Sequence, residues 1–143
     1  MNKQLLSLAI AVGFGIGGNA FAQDAMSRDA YKAEKDKIEE QAKADKKACD
    51  PMKENAKDVC QAEAKAKEKI AKAELDAKNK PGAKADEKVR LMKAEGEYEV
   101  AKEKCEDQQG GAIAACKKDA KATYDKAKDM AKQTTAANTK SKS

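Results

Sequence analysis

The chain has no histidine and no tryptophan, and aromatic residues make up 3% of its 143 positions. Without histidine, Ser-His-Asp and Cys-His nucleophilic catalysis, His-ligated metal centres and the usual neutral-pH general base are excluded. Large apolar residues are scarce as well. Both Phe lie in the first 21 residues, and beyond position 22 the chain holds two Leu (75, 91), three Ile (38, 70, 113) and three Val (59, 89, 100), eight in the remaining 121 residues (143 − 22). That is far below the roughly 20% at which a chain becomes a candidate for disorder, so a large hydrophobic core is not available. Serine past position 22 is confined to Ser27, Ser141 and Ser143, none beside a candidate base, and there is no Gly-rich phosphate loop. The longest apolar run in that region is Ala112 to Cys116, too short to cross a bilayer.

What is present begins with an N-terminal pattern. Lys3 is followed by an apolar stretch from Leu5 to Ile16 and by the small-x-small sequence Ala20-Phe21-Ala22. A positive residue, a short apolar segment and small residues before a cleavage point define a secretory signal peptide. Residues 1–22 are therefore expected to be removed between Ala22 and Gln23, with an uncleaved N-terminal anchor as the rival reading. Export places the mature chain in the periplasm, where disulfides persist.

Ala, Lys and Glu fill the space that large apolar residues leave, and all three favour helix. Lys and Arg total 30 against 25 Asp and Glu, a net charge of +5. Acid and base are interleaved throughout, which argues against nucleic acid as a partner. Glu39–Lys43, Glu63–Lys67, Glu68–Lys72, Glu74–Lys78 and Asp76–Lys80 are acid-before-base pairs at i, i+4, each worth about 0.2–0.5 kcal/mol to a helix. Four helices are expected. The first runs from Ser27, a good N-cap, to Ala48, and ends at Asp50-Pro51. The second runs from Asn55, which with Asp58 resembles a capping box, to Lys78, with an inner stripe of Val59, Ala62, Ala66, Ile70, Ala73 and Ala77. The third covers 84–104 and the fourth 112–132. Residues 133–143 read as a disordered polar tail.

The four cysteines carry the most specific pattern. Cys49 and Cys60 are separated by ten residues, as are Cys105 and Cys116, and the second pair follows the first by 56 positions. Aligned on their cysteines, Ile38, Ala42 and Asp45 correspond to Ala94, Tyr98 and Ala101. Ala64, Ala71 and Leu75 correspond to Ala120, Ala127 and Ala131. Spacings of three and four trace one helix face, so the chain reads as an internal duplication. It comprises a hairpin over 23–80 and a second over 81–132, each closed at its turn by a disulfide. The preferred bridges are Cys49–Cys60 and Cys105–Cys116. The pairing Cys49–Cys116 with Cys60–Cys105 remains geometrically open. Structural zinc sites usually use cysteines two to four residues apart, a spacing absent here. Met26, Met52, Met92 and Met130 are thioether donors of the kind that suits Cu(I), but they are scattered, which favours gap filling. No metal site, cofactor or catalytic residue is expected.

The stretches MSRDAYKAEKDKIEEQAKADKKAC (26–49), NAKDVCQAEAKAKEKIAKAEL (55–75) and YEVAKEKC (98–105) resemble small exported Ala/Lys-rich helical proteins of proteobacteria, labelled TolA-like or cell-envelope-biogenesis proteins. The resemblance implies a periplasmic helical protein of the envelope and brings no catalytic residue. Taken together, the expected fold is all-α, two disulfide-stapled hairpins forming a loose antiparallel four-helix bundle. The expected function is non-enzymatic, structural or interactive in the cell envelope, with stress protection as one such role. Its partner would be an envelope protein or an anionic envelope component, with no transmembrane segment after processing. The alternatives are a small-ligand or metal-binding periplasmic protein, and a chaperone-like holdase.

Overall fold

The computed structural model describes residues 26–140, so the signal segment 1–22 with its Ala22/Gln23 cleavage point lies outside the described residues. Four helices follow one another: α1 (Arg28–Ala48), α2 (Glu54–Asn79), α3 (Ala83–Cys105) and α4 (Gly111–Lys140). No strand occurs among the described residues. Successive helices run antiparallel. Each packs on its sequence neighbours, α1 on α2, α2 on α3 and α3 on α4, and among the described residues α1 and α4 do not touch. The bundle is therefore an open row rather than a closed ring.

Local chemistry sets most of the helix ends. The Ser27 hydroxyl accepts from the Ala30 amide at 3.2 Å, and Asp29 sits in the first turn of α1, where its charge complements the helix dipole. Lys46 and Lys47 occupy the last turn, again with the favoured sign. The turn before α4 uses Gly110 at φ 57, a conformation that costs glycine nothing. The start of α2 departs from the expected capping box. Its N-cap is Lys53, with no side-chain cap, and Glu54 takes φ 51, in the left-handed region. Asn55 lies inside α2, one residue past Glu54, and its side-chain amide donates to the Glu103 carbonyl at the end of α3 at 2.8 Å.

The core is thin and made largely of alanine. The buried apolar residues are Ala42, Cys49, Ala64, Ala73, Leu75, Ala94, Cys105 and Ala131. Small side chains let the helices approach closely, most of all at Gly96. A Cβ built there would lie 2.8 Å from the Ala66 Cβ. Charged side chains then reach across the narrow seams. Glu68–Lys72 forms within α2 at 2.8 Å as expected. The other acids of the anticipated i, i+4 pairs bond to neighbouring helices: Glu39 to Lys72 (3.2 Å), Glu63 to Lys104 (3.4 Å), Glu74 to Lys93 (2.8 Å) and Asp76 to Lys88 (2.7 Å). Such exposed pairs are worth about 0.2–1 kcal/mol each. Their number matters here because so little apolar area competes with them.

The C-terminal segment corrects the sequence reading. Where a disordered tail is expected from residue 133, α4 continues to Lys140. Arg90 of α3 contacts this segment. Its guanidinium donates to the Ala131 carbonyl (3.2 Å) and to the Thr135 hydroxyl (2.7 Å), and Thr135 is buried. Thr134 and Thr135 also donate back to the Met130 and Ala131 carbonyls, which satisfies their hydroxyls inside the helix.

Candidate functional site

The site residues singled out by sequence are the four cysteines, and the structure pairs them as Cys49–Cys60 and Cys105–Cys116. Each bridge spans a sequence separation of 11, with Cα atoms 5.7 and 5.6 Å apart. No described cysteine is free. Each bond joins the end of one helix to the second turn of the next and so closes a hairpin. Cys49 and Cys105 are fully buried. Because the helices alternate in direction, both bridges lie at the same end of the row. The Asn55 amide, bonded to Glu103, ties the two stapled turns to each other. Sequence reasoning missed Asn55 because its asparagine in a helix start is equally read as a local cap.

Two polar networks hold the hairpins in register. Glu68 of α2 accepts from Lys46 of α1 and from Lys72, at 2.7 and 2.8 Å, and Lys72 also reaches Glu39. Hydrogen bonds from Lys46 and then Lys72 hold the Glu68 carboxyl well below its ordinary 4.5, at about 2. At the other end of the row Tyr31 Oη donates to Asp76 Oδ1 at 2.6 Å, while Lys88 Nζ donates to Asp76 Oδ2 at 2.7 Å. One carboxylate thereby joins α1, α2 and α3. The Lys88 bond, then the Tyr31 bond, lowers the Asp76 pKa, and the same Asp76 bond raises the Tyr31 phenol above its usual value.

The seam between α3 and α4 carries an aromatic stack. Tyr98 and Tyr124 lie 4.9 Å apart with their rings 10° from parallel, Lys102 over Tyr98 and Lys128 over Tyr124. Their surroundings are Ala94, Ala101, Ala120 and Ala127. These are positions that the cysteine-aligned sequence pattern placed on one helix face. Two surface concavities lie on the first two seams of the row. A cleft at the first stapled turn is lined by Lys46, Lys47, Asp50, Gln61 and Lys65. An apolar groove runs between α2 and α3 over Ala66, Ile70, Gly96, Val100 and Ala101.

Met52 lies in the first turn region, Met92 on α3 and Met130 on α4, with Met52 and Met130 exposed. Among the described residues no group of three or more His, Cys, Asp or Glu is placed to hold a metal ion. Among the described residues no helix is long and apolar enough to cross a membrane. Fold and site together define a class, the all-helical row of hairpins closed by disulfides at one end. No protein-family model, curated protein or solved structure matches this chain.

Proposed function

We propose that this chain is a non-enzymatic exported protein whose role in the periplasm is structural or interactive within the cell envelope, protection under stress included. The observation that carries this reading is the pair of bridges closing both hairpins. Disulfides persist in the periplasm and outside the cell and are rare in a reducing cytosol. The signal pattern before Gln23 is independent support from the sequence. A second part of the proposal is that the hairpins are copies of one unit. It is supported by the shared bridge separation of 11 and by the matching helix-face positions on either side of the cysteines. The surface fits an interaction role. It is dense in charges of both signs, with an apolar groove and a lysine-lined cleft on which a protein or anionic envelope component can settle.

Intact-mass analysis of the native protein from a periplasmic fraction tests the reading. The expected species begins at Gln23, carries two intramolecular disulfides and binds no metal. A chain retaining Met1 in the membrane fraction, or a reduced cytosolic chain, would overturn it. A reduced, metal-loaded periplasmic chain would favour the metal-binding alternative, and stoichiometric suppression of a client's aggregation would favour a holdase.

A further inference from the structure

Ile70 of α2 and Val100 of α3, half-buried like Ile38, Val59, Val89, Leu91 and Ile113, share one groove. Past residue 22 the chain holds only eight Leu, Ile and Val, yet these two line an open groove of about 380 Å³ between α2 and α3. Its floor is otherwise Ala66, Gly96 and Ala101. Its rim carries four charges, Glu63 and Lys67 on α2 and Glu97 and Lys104 on α3. The antiparallel register sets their order. Glu63 faces Lys104 at 3.4 Å. The close approach of Gly96 to Ala66 brings the next residues, Glu97 and Lys67, to one level. Acid and base therefore alternate around the floor. Among the described residues no ion pair engages Lys67 or Glu97, and both are exposed.

We propose that this groove is the contact surface of a homodimer, occupied by the same groove of a second copy. An isologous interface needs a surface complementary to itself, and an alternating rim meets that requirement. With a two-fold axis along the helices, Glu63 meets the partner's Lys104 and Lys67 meets the partner's Glu97. With the axis across them, Glu63 meets the partner's Lys67 and Glu97 meets the partner's Lys104. Every acid faces a base in either case, so the two axes are equally served by charge. A rim of one sign would repel its own copy. Ile70 and Val100 supply the apolar contact. The groove is lined by nine residues, well short of the roughly 20–30 per partner of a standard stable interface. The dimer is accordingly weak and reversible, and its register depends on the charges.

Sedimentation equilibrium of the mature, oxidised chain tests this, with loading from about 10 µM to about 1 mM, the range over which weak association becomes populated. The expected result is a monomer–dimer equilibrium. K67E turns two symmetry-related attractions into repulsions and should weaken self-association by roughly tenfold. K32E, which makes the same charge change on the exposed face of α1, should leave it unaltered. Circular dichroism confirms that both variants keep the parent's helix content. Methyl NMR of Ile70 and Val100 should shift with protein concentration. A monomer at every loading, or a dimer equally strong in K67E and K32E, would overturn the proposal. So would methyl shifts that appear only on adding decanoate to a chain that stays monomeric, which would make the groove a site for an amphiphile instead.

Discussion

The Asn55 side-chain amide donates to the main-chain carbonyl of Glu103 across 2.8 Å, joining the first turn of α2 to the last turn of α3. The Glu103 carbonyl also accepts from the Glu106 amide at 3.0 Å, so the Asn55 bond is a second one to the same oxygen and locks one stapled turn against the other. N55A should cost about 0.5–1.5 kcal/mol in urea unfolding, the usual net worth of such a bond. If Asn55 acted only as a local cap, N55D would retain most of the stability. We expect N55D to be at least as damaging as N55A, because a carboxylate cannot donate to Glu103.

Gly96 poses a test in which two effects oppose. Helix propensity favours alanine over glycine by about 0.5–1 kcal/mol. The added carbon, however, would sit 2.8 Å from the Ala66 Cβ and 3.5 Å from the Ala66 Cα, atoms that can yield only if α2 and α3 part. We expect sterics to win, with G96A destabilised by about 1–2 kcal/mol and A66G/G96A recovering part of the loss. Thermal unfolding of the three variants decides the sign.

Glu54 holds φ 51 without being glycine. Replacing it by glycine removes the steric penalty of that conformation at the price of a more flexible unfolded chain, and E54G should gain about 0.5–1 kcal/mol. Equal or lower stability of E54G in urea titration would show that Glu54 is unstrained in solution.

Acid should act first on the network around Glu68. Its folded-state value of about 2 lies below the ordinary 4.5. Its ionised form therefore contributes stability that is fully present above about pH 4.5 and is lost as pH falls toward 2. Asp76, also lowered, acts in the same direction. E68Q should be less stable than the parent near neutral pH and should show a shallower loss between those limits. Parallel acid titrations of the two proteins by circular dichroism measure this difference.

The bridges set the remaining prediction. Each should contribute roughly 2–4 kcal/mol by restricting the unfolded chain, a large share where the buried residues are mostly alanine. C49S/C105S, which removes both, should keep partial helix at about 5 °C, because Ala, Lys and Glu support local helix unaided, and should unfold broadly at much lower temperature than the oxidised parent. A sharp transition at the parent's temperature would mean that packing and ion pairs suffice.

Much of the architecture is legible in the sequence because it depends on local rules. Ser27 caps α1, Asp50-Pro51 ends the first hairpin arm, and the repeated cysteine spacing falls on two turns that are bridged as preferred. The spacing of Ala94, Tyr98 and Ala101 put them on one helix face, and the structure sets that face against α4. What was not legible depends on proximity between helices. Glu39, Glu63, Glu74 and Asp76 each had a plausible partner one turn away, but the thin alanine seams brought lysines of neighbouring helices within reach. By local propensity Gly96 only weakens a helix, yet it lies at the close crossing of α2 and α3. Residues 133–140 read as a polar tail because nothing local announces that Arg90, 45 positions from Thr135, would bond to it.

Placing both disulfides at one end of the row gives the molecule a direction in time. The opposite end is secured by the turn at residues 80–82 and by the noncovalent contacts of Tyr31, Asp76 and Lys88 and of Arg90 with Thr135. Thermal opening should start there and travel toward the bridges, so amide-exchange protection in α1 and α4 should rise toward Cys49 and Cys116. Each opened hairpin keeps its two arms within a few residues of contact. Closure then needs only neighbouring segments to meet, a route of low contact order that favours rapid refolding. After local opening the molecule would recover by zipping outward from its covalent ends.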